Sequence, residues 1–441
     1  MIALFSAIFL LLGLLNPVNN NLIDITISFF VFSFCAYTVL NFERKFFVLI
    51  VCIFISWLIF ASIKEFNLAV IYGSLAGTVL GIILNGLKLL EKTAIWILIF
   101  SFLISSFVTS HDLRMMLKRD VPLYTYNNDP GVFLKTHLLM DQGYGYYEAF
   151  KIAITGRFGL QTVPGDIWSW RLPTVFLIWK VIPGTNRLSV YYLLIILFVS
   201  VFFTVFKIGQ KYLGSNLGLL PAYLIFPYFH YAARDQMFLE TEWWSLSIFI
   251  FGIYFFISNR LFWTTVLLSI TVLVREVYIL PLGLMLIYSL FREKKLIPVF
   301  TIPLFSFSLF FIFHLSQVNH YINTRGTIFS PRIISDTLLL IQKTLAFASW
   351  EYLLFQIRPF IFFLLVAIIG CLFLFFKEKK KETIFLLLSF SIFPIIFLKL
   401  GTLYNDYWGI IYVPLAIIFA PTSLLIFKNL MFHQKRIRNI A

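Results

Sequence analysis

The sequence is short of charge. Of its 441 residues only 12% are Asp, Glu, Lys or Arg, while 60% are hydrophobic; soluble domains carry about 25% charged residues. An ordinary soluble enzyme or binding domain is thereby excluded. Cysteine is scarce as well. Cys35, Cys52 and Cys371 all fall inside apolar runs, so they encode neither a disulfide framework nor a thiolate metal set. Six His are scattered with no HxxxH or HExxH pattern, and there is no Walker loop, no GxGxxG and no Ser–His–Asp spacing. Nothing signals zinc-peptidase, ATP or nicotinamide chemistry. Strand-length alternation of apolar and polar residues, the mark of a membrane β-barrel, is missing too.

What is present is oil, at a mean hydropathy of +0.91. Apolar runs recur from end to end, near the ~20 residues that cross about 30 Å of hydrocarbon as a helix. The chain reads as an all-α polytopic membrane protein of about 14 transmembrane helices. They are expected at roughly 2–15, 22–41, 46–63, 68–87, 93–109, 188–206, 217–231, 243–257, 261–274, 277–291, 296–315, 359–376, 383–398 and 410–427. The first run, "MIALFSAIFLLLGLL", has neither a basic stretch before it nor a small-residue cleavage site, and is expected to be a retained span.

The short linkers sort by Lys and Arg, which favour the cytoplasmic side. Linkers "ERK", "KLLEK", "KIGQK", Arg260, "REKK", "KEKKK" and the basic tail form one set; "NPVNNN", "KEFN" and "GTLYNDYWG" alternate with them. This alternation places both termini in the cytoplasm and the long polar loop 110–187 outside. The +15 net charge has no soluble basic domain to serve, so nucleic acid is not an expected partner. Nine Lys and Arg nevertheless sit in loop 110–187, on the disfavoured side. Phosphate groups of a lipid-linked substrate would account for them; an ordinary soluble loop is the other account.

Four constellations carry the chemistry. In "YNNDPGVFLKTHLLM", Asp129 precedes Pro130 and an apolar stripe of Val132, Phe133, Thr136, Leu139 and Met140. That pattern predicts an amphipathic helix on the outer surface, with Asp129 as N-cap, as reactive carboxylate, or both. In "ARDQMFLETEWW", Asp235, Glu240 and Glu242 stand at the mouth of a span, where a carboxylate pairs or works; Arg234 is a ready partner. In "VLVREVYIL", Arg275 and Glu276 split about 30 apolar residues into two short spans, as a structural pair or as a phosphate-binding fork. Lastly, "WSWRLP" and "PGTNRL" carry Arg171 and Arg187. The later loop 316–358 adds Arg325, Arg332 and Arg358.

In this order, "NNDPGVF", "WRLP", "PGTNRL", "FLETEWW" and "VLVREVY" resemble the GT-C superfamily of membrane glycosyltransferases, nearest the protein O-mannosyltransferase and lipid A aminoarabinose transferase branch. The resemblance covers about residues 93–300, with 1–92 as a four-span N-terminal extension and 301–441 as C-terminal spans. Two features depart from the pattern: Pro130 stands where many members have a second acid, and the extension has no counterpart. The resemblance implies an inverting transfer of one sugar from a polyprenyl-phosphate carrier to a glycan, lipid or protein hydroxyl at the outer face of the cytoplasmic membrane. It makes Asp129 the general base and Glu240 the residue that positions the acceptor. Arg275, Arg171 and Arg187 are implied phosphate ligands, and Tyr147, Glu148, Trp168 and Glu276 are implied to line the substrate. A divalent cation, Mg or Mn, would sit on Asp129 and Glu240. An O-antigen-type polymerase or ligase predicts basic outer loops late in the chain, which 316–358 modestly supplies. A flippase or transporter predicts an internal repeat, and none is visible.

Overall fold

The computed structural model describes residues 129–155, 163–181, 187–214, 218–233, 237–322, 337–347, 360–378, 381–398 and 405–426, with parts of 95–110. Among the described residues every regular element is helical and none is a strand. Three stretches, Leu188–Leu213, Lys294–Tyr321 and Tyr407–Ile426, are long and apolar enough to cross a membrane. Thr241–Ile257, Leu261–Val274 and Leu364–Lys377 are shorter apolar helices. The expected spans within 1–92 lie outside the described residues.

Three helices come from the long polar loop: α1 (Asp129–Asp141), α2 (Tyr146–Ile154) and α3 (Thr174–Lys180). They are followed by α4 (Arg187–Leu213), α5 (Leu220–Ala232), α6 (Thr241–Ile257), α7 (Leu261–Val274), α8 (Ile279–Arg292) and α9 (Ile297–Tyr321). The C-terminal part holds α10 (Thr337–Phe347), α11 (Phe360–Glu378), α12 (Lys381–Phe397) and α13 (Val413–Phe419). α7 packs between α6 and α9, α8 lies against α9 and α12, and α11 lies against α13. Phenylalanine fills the centre. The rings of Phe198 on α4 and Phe229 on α5 stack at 4.0 Å, and Phe102 meets Phe202 edge-on at 5.2 Å. Such aromatic pairs add to plain area burial.

Several serines and threonines enter these helices with their hydroxyls bonded to the helix itself. Thr136, Ser247, Thr264, Thr271 and Ser289 each donate to the carbonyl four residues back, the local solution open to a short hydroxyl side chain. The turns are chemically specified too. Asn259, between α6 and α7, has φ 57°, a left-handed conformation that Asn tolerates. Gly143 takes φ 101° between α1 and α2, where a side chain would be strained.

The structure differs from expectation in three places. Helix α1 is buried on most sides, from Pro130 through Leu134 and again at Thr136, His137 and Met140, so it is packed into the protein rather than floating on a surface. The amphipathic one is α2, with Tyr146, Tyr147, Phe150 and Ile154 inside and Glu148 and Lys151 exposed. Helix α9 runs on to Tyr321, and α10 forms within the stretch read as a polar loop.

Candidate functional site

Helices that start or stop at one end of the bundle bring charged side chains from distant parts of the chain together. Helix α1 begins at Asp129, where a carboxylate suits the free N–H groups of the first turn. Arg171 follows the 3-10 turn Ile167–Ser169, which Asp166 caps by accepting from the Ser169 backbone and hydroxyl at 2.9 Å each. The Arg171 backbone is held by the Tyr146 hydroxyl, and its guanidinium lies 5.6 Å from the Phe133 ring centroid. From there Nη2 reaches Asp129 Oδ2 at 3.3 Å and donates to the Tyr407 hydroxyl at 2.8 Å. Tyr407, some 278 residues from Asp129, donates in turn to Asp129 Oδ2 at 3.2 Å and accepts from Asn405 Nδ2 at 3.4 Å. A phenol offers one O–H and two lone pairs, and these contacts use all of them.

Beside this triangle lies a second ion pair. Helix α7 ends at Arg275, whose backbone turns extended at φ −139°, ψ 113°. Its Nη2 stands 2.7 Å from Glu242 Oε1, both side chains fully buried, and Nη1 stands 3.7 Å from Glu276 Oε1. Thr241 donates to the other Glu242 oxygen at 3.1 Å. Tyr278, just after, donates to the Ile411 carbonyl at 3.1 Å and so joins this turn to the segment that carries Tyr407.

Glu240 sits at the start of α6, 4% exposed, with Oε2 lacking a hydrogen-bond partner. Burial, then the charges of Glu242 and Asp129, push its pKa well above the ordinary carboxylate value, against the pull of Arg171 and Arg275. Glu276 goes the other way. Burial would raise it, but Arg275 and Arg171 outweigh that and hold its carboxyl below the usual range.

Three of the expected site residues thus meet at Asp129, Arg171 and Glu240, with Arg275 and Glu276 alongside. Glu242 pairs with Arg275; Arg234 and Asp235 lie outside the described residues, as do Arg325, Arg332, Arg358 and the side chain of Arg187. Tyr147 is buried and its hydroxyl lies 3.0 Å from His314 Nδ1. Trp168 remains exposed, stacked on Phe311 at 6.2 Å, while Trp170 is buried against Tyr321. Glu148 is exposed on α2 and takes no part in the charged cluster. Among the described residues no three His, Cys, Asp or Glu are grouped to hold a metal; Asp129 and Glu240 supply two carboxylates, one already bonded to Arg171 and Tyr407.

Sequence reasoning missed Tyr407, Asn405 and His314. "YNDYWG" carried a signal, a polar aromatic stretch just before the last apolar run. His314, a lone His in an apolar helix, carried none. The chain matches no family model, no curated protein and no solved structure.

Proposed function

We propose that this protein is a membrane glycosyltransferase that moves one sugar from a polyprenyl-phosphate carrier to an acceptor hydroxyl at the outer face of the cytoplasmic membrane. One observation supports it most. Asp129, Arg171, Glu240, Arg275 and Tyr407 arrive from far-apart segments and converge where helices begin and end. The fourteen-span count and the cytoplasmic termini belong to this proposal and rest on the apolar runs and the basic linkers.

The roles follow from exposure. Asp129 is the more open member of its ion pair, 34% exposed against 12% for Arg171, so it is the carboxylate an acceptor reaches. It removes the acceptor's proton as that oxygen attacks the anomeric carbon. The bond from the anomeric carbon to the phosphate oxygen breaks on the opposite face, and its electron pair leaves with the phosphate. Arg171 stabilises the charge that develops there, with Arg275 behind it. Glu240, pushed toward its neutral form by burial, is a hydrogen-bond donor for the acceptor or the phosphate. Asp129 together with Glu240 in its ionised form would hold a divalent cation only in the manner of Mg, with substrate phosphate completing the shell; bound there, the ion would offset phosphate charge and take the place of the Glu240 proton.

Mass spectrometry of lipids that co-purify in mild detergent tests the proposal. Polyprenyl monophosphate or its sugar ester is the expected finding. A polyprenyl diphosphate bearing an oligosaccharide would replace the proposal with a polymerase, ligase or flippase. Asp129→Asn is expected to abolish transfer while leaving expression intact.

A further inference from the structure

We infer that Tyr407 is a positioning residue that keeps Asp129 in place when the donor's phosphate takes Arg171 away from it; the inference rests on the function proposed above. In the structure Arg171 spends its Nη2 on two acceptors, the Asp129 carboxylate at 3.3 Å and the Tyr407 phenol at 2.8 Å. A phosphate arriving at Arg171 therefore competes with Asp129 for one guanidinium. It can engage that fork through two oxygens where Asp129 uses one, and the pair it displaces is partly open, at 12% and 34% exposure.

The exchange would leave a general base without its holder, were it not for the third side of the triangle. The Tyr407 O–H points at Asp129 Oδ2, 3.2 Å away, and that bond does not involve Arg171. The segment bearing Tyr407 is fixed independently, because its Ile411 carbonyl receives the Tyr278 hydroxyl, and within it Asn405 donates to the phenol oxygen. Arg171 can thus turn to the phosphate while its own backbone stays tied to Tyr146, and Asp129 remains oriented toward the acceptor. The same competition makes donor binding the event that frees the base.

Titration of the purified full-length protein with undecaprenyl monophosphate in detergent, joined to transfer kinetics with the co-purified donor, tests this. Wild type binds, and Arg171→Gln weakens binding by at least about tenfold, the loss of a charge-assisted hydrogen bond. Asp129→Asn removes the competitor and tightens binding by about two- to fivefold. Glu276→Gln deletes a nearby carboxylate, held ionised beside Arg275, that does not hydrogen-bond Arg171, so it tightens binding less. Tyr407→Phe lowers kcat by about tenfold or more, with the donor KM unchanged. Unchanged or weaker binding by Asp129→Asn, or tightening matched by Glu276→Gln, overturns the exchange. A Tyr407→Phe defect that falls on the donor KM overturns the positioning role. Each of these results leaves the proposed function standing; failure of the wild type to bind the phosphate overturns both.

Discussion

The molecule contains two arginine–carboxylate pairs side by side, built from the same chemistry and placed at different depths. Arg275 and Glu242 are both fully buried at 2.7 Å, and Arg171 and Asp129 are partly open at 3.3 Å with a phenol between them. Depth decides what each pair is for. Two charges taken out of water lose several kcal/mol of hydration apiece, and only close contact with each other recovers it. Such a pair cannot exchange partners without stranding a charge, so Arg275–Glu242 ties the start of α6 to the end of α7. The shallower pair keeps water as an alternative partner. Its attraction is worth on the order of 1 kcal/mol or less, small enough for a substrate to take one member.

The comparison breaks first at the deep pair. Glu242→Gln leaves the buried Arg275 with only the looser Glu276 contact at 3.7 Å, and is expected to cost up to about 3–5 kcal/mol, read as a large fall in the thermal unfolding midpoint in detergent. Replacing both partners, Glu242→Leu with Arg275→Met, is expected to recover part of that loss, since Arg275→Met also takes from Glu276 its nearest cation. A double variant no more stable than the single one would mean that the pair contributes more than its own neutralisation. Next in size is Gly409. A Cβ there would collide with the Thr344 backbone carbonyl of α10, so Gly409→Ala must push α10 from the segment that carries Tyr407. Overpacking of this kind costs about 1–3 kcal/mol, and transfer is expected to fall with the same variant. Third, Asp129→Asn is expected to change stability by less than about 1 kcal/mol, while Asp129 as general base is worth about 10²–10⁴ in rate. Loss of folding in step with loss of transfer would erase the distinction between the two pairs.

How much of this was legible in the residues follows the range over which each physical signal acts. The apolar runs gave the helices α4 through α9, because burial of a helix is written in consecutive residues. Glu240 and Arg275 stood out because charge is costly at or inside an apolar run, and Asp129 because Asp before Pro opens a helix. Their partners were not legible. "VLVREVY" offers Glu276 as the obvious mate for Arg275, but the nearer carboxylate is Glu242, one helix earlier. Tyr407 reaches Asp129 across 278 residues, a pairing that only tertiary packing sets. The burial of α1 was misread for a related reason: its apolar stripe marks one face, while its neighbours cover the others.

The smallest expected effect separates the two carboxylates that flank the deep pair, and its sign is fixed by their opposite environments. Glu240 has a folded-state pKa raised by burial. Its contribution to stability is fully present below the ordinary carboxylate value and is lost as pH rises through the raised one, because the native state resists its ionisation. Glu276 is held low by Arg275 and Arg171. Its contribution is present above the ordinary value and is lost as pH falls through the depressed one. Between mildly acidic and neutral pH, Glu240 therefore makes the protein less stable as pH rises, while Glu276, already ionised, contributes a constant. Glu240→Gln is expected to flatten the dependence of the unfolding midpoint on pH across that window and to leave the acid limb unchanged. Glu276→Gln is expected to do the reverse, softening the loss of stability at the acid end only. Unfolding midpoints of the three proteins from acidic to neutral pH decide the matter. Equal slopes for wild type and Glu240→Gln would mean that Glu240 is ionised beside Glu242 and Asp129, and that Arg171 and Arg275 reach far enough to hold all four acids of this cluster.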